Sequence, residues 1–215
     1  RTVRNKAFGG NTLAYNNLDD QKHPTTGLPA QLTTKYVGWD SNFVQTEGKA
    51  RYFVPLFEDQ GVIGSVRAQA GVINDLSGNG LNGLDAFKFN SNLVRGFEAN
   101  GFGAVLAAPS GEYIGGTYYA GLSAEVQFPI PMLPPSYGLS GAVFADAAVI
   151  GGLPNIPSGF SVDPASTDQP FKSSVGASII WDSPFGPLRG DFAYALTKAS
   201  SDKPQIFQLS LQTLL

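Results

Sequence analysis

The stretch YYAGLSAEVQF, residues 118–128, decides the fold. Ser123, Glu125 and Gln127 fall on one parity, and Leu122, Ala124, Val126 and Phe128 on the other. Successive side chains of a strand point to opposite faces, so this alternation predicts a β-strand with one polar and one apolar face. The same period of two recurs along the chain. Nine runs carry it, at residues 11–17, 30–37, 43–54, 62–73, 118–128, 139–150, 173–181, 188–196 and 206–214, separated by clusters of Gly, Pro, Asn and Asp. In 43–54, Gln45, Glu47, Lys49 and Arg51 oppose Val44, Ala50, Tyr52 and Val54. In 62–73, Ser65, Arg67 and Gln69 oppose Val62, Val66, Ala68 and Val72. Asp146 lies opposite Val143, Ala145 and Ala147; Arg189 and Asp191 oppose Leu188, Phe192 and Tyr194; Gln208, Ser210 and Gln212 oppose Phe207, Leu209 and Leu211. Charge stays off the apolar parity throughout. No run has a helical period, and the nearest candidate for a single helical turn is 81–89.

Two architectures fit an all-β chain of this kind. A soluble sandwich turns the apolar faces inward. An antiparallel transmembrane β-barrel turns them outward to lipid and lines its lumen with the polar faces. Three features favour the barrel. Several runs have the roughly 9 to 11 residues needed to cross a bilayer at a tilt. Aromatic residues gather near strand ends (Tyr52, Phe53, Tyr118, Tyr119, Phe128, Trp181), where interfacial girdles lie. The polar faces are mostly Ser, Gln, Gly and Thr with sparse charge. Connections sort in the same sense: tight Pro-rich turns follow 43–54, 118–128 and 173–181, whereas 74–117 and 151–172 are long.

Composition narrows function more than fold. The 215 residues carry a net charge of −3 and no polybasic run, which argues against a nucleic-acid partner. There is no Cys, hence no disulfide framework and no thiolate metal site. His23 is the only histidine, which excludes a His-based triad or a multi-His metal centre within these residues. No stretch approaches the roughly 18 to 20 apolar residues of a membrane helix. The Gly-rich LSGNGLNGLD, residues 76–85, lacks the Lys-Ser/Thr and the following helix of a phosphate loop. The opening RTVRNK reads as the interior of a longer protein, so the chain is taken as a fragment.

The segment 74–117 is the functional focus. A loop of that length inside a β domain is usually functional or disordered. Its centre, FKFNSNLVRGFEANGFG at 87–103, holds Phe87, Phe89, Leu93, Val94, Phe97 and Phe102, too apolar for disorder. Arg95 amid these residues requires a buried carboxylate partner, and Gly96 permits a sharp turn beside it. The bland alternative is that Arg95 only pins the loop. Asp182 and Arg189 read as rim or lumen charges, and His23 as a turn residue beside Pro24.

The motif Val94-Arg95-Gly96-Phe97, followed by Glu98-Ala99-Asn100-Gly101, resembles the VRGF/Y loop signature of BamA-type assembly factors, the bacterial surface-antigen barrel family. Three further segments match in kind and order: Ala124 to Pro129, Gly141 to Ala147, and Ser174 to Trp181 followed by Ser183 to Leu188. The turn running from Asn17 through Asp19, Asp20 and Pro24 to Gly27 is similar as well, so the resemblance spans nearly the whole chain. It implies a sixteen-strand outer-membrane barrel of which these residues supply about nine C-terminal strands. Residues 1–215 would be one portion of that barrel, with the earlier strands and the periplasmic POTRA repeats preceding Arg1. The resemblance implies that the long loop folds into the lumen, with Arg95 held by Glu125 and Asp146. It implies a non-enzymatic insertase without cofactor, metal or catalytic residue, in the bacterial outer membrane. Its partners would be unfolded β-barrel clients, accessory lipoproteins, periplasmic chaperones and the lipid bilayer. The last strand, with Phe207, Leu209 and Leu211, would form one side of a weakly paired seam. Gln212 stands where relatives place a Gly, and the closing aromatic is absent by Leu215. Related transporters for two-partner secretion or autotransporter assembly, or a diffusion porin, remain open alternatives at this point.

Overall fold

The structure is a computed structural model, and it describes residues 5–78, 80–89, 93–156, 158–183 and 186–211. Its strands are β1 (Lys6–Tyr15), β2 (Ala30–Trp39), β3 (Phe43–Phe57), β4 (Val62–Asp75), β5 (Ala104–Val105), β6 (Tyr113–Gly115), β7 (Tyr118–Pro129), β8 (Leu139–Gly151), β9 (Phe171–Ser183), β10 (Gly186–Thr197) and β11 (Phe207–Leu211). Nine of them make one antiparallel sheet in the order β1-β2-β3-β4-β7-β8-β9-β10-β11, while β5 and β6 pair separately. The sheet is a meander: each long strand pairs with the next long strand in the chain, as turn-connected antiparallel strands do.

Side-chain exposure decides between the two architectures. Leu122 on the apolar parity of β7 is 59 % exposed, while Ser123 and Glu125 beside it are each 6 % exposed. Tyr194 and Leu209 reach 69 % and 72 %. The apolar faces have no second sheet packed on them among the described residues, and the polar faces are the buried ones. A soluble sandwich requires the reverse, so the sheet is the wall of a transmembrane barrel. Its interior is concave: Arg189 of β10 reaches Glu125 of β7 past two intervening strands. Among the described residues the wall is not closed, and β1 and β11 are paired on one side only.

The lumen has an apolar core of its own, carried in by the β4–β7 connection. Phe87, Phe89, Leu93, Val94, Phe97 and Phe102 pack with Tyr119 and Ile150 of the wall. Phe87 meets Tyr119 edge-on at 4.9 Å, and Phe97 meets Phe102 at 5.1 Å, geometries that satisfy the ring quadrupoles.

Several boundaries differ from the sequence reading. β1 begins at Lys6 rather than at residue 11, because Gly9 and Gly10 break the visible alternation without breaking the ladder. β3 runs on to Phe57 through an irregularity at Pro55, and Pro55 lies where a ladder donor is dispensable. The 81–89 segment is not helical; it contains a turn closed by Asp85 N–H to Asn82 O at 2.9 Å. The hairpin β5–β6 was not anticipated. Of the expected last strand, 207–211 is seen, and 212–214 lie outside the described residues.

The turn asymmetry also has two exceptions. The β2–β3 turn is short on the long-loop side, and the β1–β2 connection is long on the short-turn side. The latter is ordered by its own side chains. Asp19 Oδ1 accepts from the N–H groups of Thr25 and Thr26 at 3.0 Å each, and Asp19 Oδ2 from Thr25 Oγ1 at 2.5 Å. Asn17 Oδ1 accepts from Leu28 N–H at 2.6 Å. His23 sits in this connection, its Nε2 lying 3.2 Å from Asp182 Oδ2 at the end of β9.

Candidate functional site: the lumen loop and its ion-pair network

The loop is fastened at its base by Phe87 N–H to Gly116 O at 2.9 Å. Its tip is Val94-Arg95-Gly96-Phe97, all buried. Gly96 has φ of +91°, and a Cβ there would stand 3.1 Å from Ala193 Cβ on β10. Both conformation and close approach therefore call for glycine. With Gly96 against the wall, Arg95 is aimed along it.

Arg95 makes a bidentate pair with Asp146 of β8: Nε to Oδ2 and Nη2 to Oδ1, each at 2.7 Å. Its backbone N–H also donates to Asp146 Oδ2 at 3.0 Å. Nη1 donates to Glu125 Oε2 of β7 at 2.7 Å, and Nη2 to Ser123 Oγ at 2.9 Å. The guanidinium lies over the Phe144 ring, 3.4 Å from its centroid. Planar guanidinium suits this arrangement, because its fork meets carboxylates bidentately and its face stacks on an aromatic ring.

Glu125 is the hub. Besides Arg95, it accepts from Arg189 Nη1 at 2.9 Å and Nη2 at 2.6 Å, and from Arg51 Nη2 at 3.2 Å. Arg189 Nε donates to Asp191 Oδ1 at 2.6 Å, and that oxygen lies 3.8 Å from Arg95 Nη1. Ser65 and Ser178 fill remaining positions: Ser65 Oγ accepts from Arg51, and Ser178 Oγ accepts from Arg189 and donates to Asp191. Three guanidinium groups thus meet three carboxylates, drawn from β3, β7, β8, β10 and the loop. Arg67 of β4 faces the same group and feels the Asp146 charge. Removing such charges from water costs several kcal/mol each, which is offset only when every partner is in place. The network therefore works as a clamp that fixes the loop tip on the wall.

Parity put Glu125 and Asp146 on the polar face, the resemblance implied that they hold Arg95, and the structure brings these three together. Arg189, read from the sequence as a rim or lumen charge, lies in the lumen and shares Glu125 with Arg95. Arg51 and Asp191 were not singled out, although their parity put them on the polar face. Phe207, Leu209 and Leu211 face outward and touch none of the clamp. The buried inward residue of β11 is Gln208, whose Nε2 donates to the Phe97 carbonyl.

The wall is that of a membrane barrel, and its lumen holds an Arg-bearing loop clamped to the inner face. Residues 2–213 match the model of the Omp85 superfamily domain, and the chain belongs to that superfamily. It is 32% identical over 194 residues to an outer membrane protein assembly factor BamA of Neorickettsia risticii, covering 89% of this chain and 25% of that protein. It is 30% identical over 137 residues to the BamA of Neisseria meningitidis serogroup B, covering 56% of this chain and 17% of that protein. The chain thus spans about a quarter of the length of the first of these relatives. The fold is similar to the crystal structure of BamA from Haemophilus ducreyi lacking POTRA domains 1–3, with a TM-score of 0.76 and 22% identity, over 93% of this chain and 41% of that one. The outward apolar band and the family together place the chain in the bacterial outer membrane.

Proposed function

We propose that the protein containing this chain assembles other β-barrels into the outer membrane, acting as an insertase without covalent chemistry. The observation that carries this reading is the clamp: Arg95 held by both Asp146 and Glu125, which keeps a folded loop inside the barrel where a porin needs an open lumen. An unpaired strand edge beside such a wall is able to template an incoming strand by main-chain hydrogen bonding. Clients are then unfolded outer-membrane β-barrel chains, delivered by periplasmic chaperones, with accessory lipoproteins as helpers. Residues 1–215 act as the C-terminal part of a larger barrel, preceded by further strands and POTRA domains.

The test is depletion of the full-length protein in its native cell, with folded barrels in the outer membrane quantified and wild-type rescue as the control. The expected result is a broad fall in unrelated porins, with unfolded forms accumulating in the periplasm. Loss of a single secreted or inserted client would replace this reading with that of a dedicated transporter.

A further inference from the structure

The loop tip is tied to the structure a second time, by contacts outside the Arg95 clamp. The connection from β10 to β11, residues 198–206, runs alongside the loop as a short irregular ribbon. Glu98 N–H donates to Lys203 O at 2.9 Å, Lys203 N–H to Gly101 O at 2.7 Å, and Gln205 N–H to Gly96 O at 2.9 Å. Phe97 and Pro204 form an antiparallel bridge between them. Gln208, the buried residue of β11, then donates to the carbonyl of Phe97. The residues that follow Arg95 are thus bonded to the segment that leads into the sheet-edge strand, and to that strand itself.

The connection has its own anchor. Lys172, at the start of β9, is 1 % exposed, and its Nζ meets Asp202 Oδ2 at 2.6 Å. The same oxygen accepts from Ala199 N–H at 2.6 Å. Tyr113 of β6 donates its hydroxyl to Ser201 O at 2.8 Å. A lysine is rarely buried so fully without a strict geometric demand. Here it fixes the connection to a strand two places from the edge. On the other side, Gln208 pairs in register with Asp191, which is bonded to Arg189 in the clamp.

We infer that the clamp and the edge strand β11 are coupled: the seating of Arg95 sets how firmly β11 is held, through the 198–206 connection, with Gln208 and the Lys172–Asp202 pair as positioning residues. In an assembly factor, which is the reading this inference rests on, a client strand that displaces β11 is felt at the loop tip, and loop movement loosens β11. Coupling of this kind is reciprocal.

Hydrogen exchange on the full-length protein in lipid nanodiscs tests this in both directions. Arg95 touches no residue of 207–211 in the contacts described above, so a purely local role for it leaves β11 exchange unchanged. Coupling predicts that Arg95→Ala speeds exchange of the 207–211 amides by tenfold or more. It predicts equally that Gln208→Leu speeds exchange at 93–102, with β7 and β8 still protected. Unchanged exchange at both distant segments overturns the inference. A second arm does not depend on those variants folding: Glu98→Cys with Lys203→Cys, both exposed and on facing positions, compared oxidised and reduced in one preparation. Oxidation is expected to slow β11 exchange several-fold; equal exchange in the two states overturns the coupling. Exchange is read whether or not clients are assembled, so failure here is distinct from failure of the depletion test above.

Discussion

Removing Arg95 strands Asp146, and the consequence is measurable. The Asp146 side chain is 0% exposed, and Arg95 supplies two side-chain bonds to it at 2.7 Å. Glu125 is less affected, because Arg189 and Arg51 still reach it. Breaking a buried pair by deleting one member costs about 3–5 kcal/mol, mostly through the uncompensated charge left behind. Arg95→Ala is accordingly expected to cost about 3–5 kcal/mol. Asp146→Ala strands the guanidinium less completely, since Glu125 remains beside it, and is expected to cost about 2–3 kcal/mol. The double variant has no orphaned charge at this position. Its cost is expected to fall short of the sum by about 2 kcal/mol, within the range of residues that act as one unit. The assay is urea unfolding of the full-length barrel in detergent, read by the gel shift between folded and unfolded forms. Additivity of the two substitutions within about 0.5 kcal/mol, the range of independent sites, would refute the argument that these groups share one desolvated site.

Other predictions follow from separate parts of the molecule. Gly96→Ala places a side chain at φ +91° and 3.1 Å from Ala193 Cβ, and is expected to cost about 1–3 kcal/mol and expose the loop to protease near Phe97; wild-type resistance would show that the tip tolerates a Cβ. Leu122→Lys puts charge on the exposed face of β7 and is expected to destabilise the membrane-inserted barrel by about 2–4 kcal/mol, whereas a neutral effect in lipid would contradict an outward bilayer-facing band. The Thr25 hydroxyl, followed by the Thr26 and Thr25 N–H groups, holds the Asp19 carboxyl well below the usual carboxylate range. A lowered folded value means that the stabilisation is present above the ordinary Asp value of about 3.9 and is lost as pH falls through the folded value. The Thr25 and Thr26 amide shifts are therefore expected to hold at pH 5 and move only well below pH 4, and Asp19→Ala is expected to move them at every pH; shifts insensitive to that substitution would remove Asp19 as the organiser of the turn.

The strands were legible because each face declares itself locally: Ser123 and Glu125 against Leu122 and Ala124 need no tertiary information. The sign of the faces needed more than alternation, which is identical for a sandwich and a barrel: strand length, aromatic positions and turn asymmetry pointed to the barrel, and the exposure of Leu122, Tyr194 and Leu209 agrees. The Gly9-Gly10 pair hid the first half of β1, and β5 and β6 are too short for any period to show. At the site, Arg95 was conspicuous as a charge in an aromatic loop, whereas Arg51 and Arg189 looked like ordinary polar-face residues. Their role depends on curvature, which brings strands that are not neighbours to one carboxylate. Lys172 and Asp202 were the least legible. Each sits in a polar neighbourhood that reads as solvated, and only the return of the 198–206 connection buries them together.

The clamp also has a place in time. Arg95 precedes Glu125, Asp146 and Arg189 in the chain by 30, 51 and 94 positions, so the loop leaves the ribosome before most of the wall that will hold it. Contacts of such separation close late, after the loop-closure entropy between them has been met. Until β7, β8 and β10 are aligned, Val94, Phe97 and Phe102 have no surface to cover them. Seating of the loop is then a report that the second half of the wall has registered correctly, since a slip of one residue in β7 or β8 would turn Glu125 or Asp146 towards lipid. The six charges that hold the finished barrel therefore meet only when β7, β8 and β10 are in their correct register.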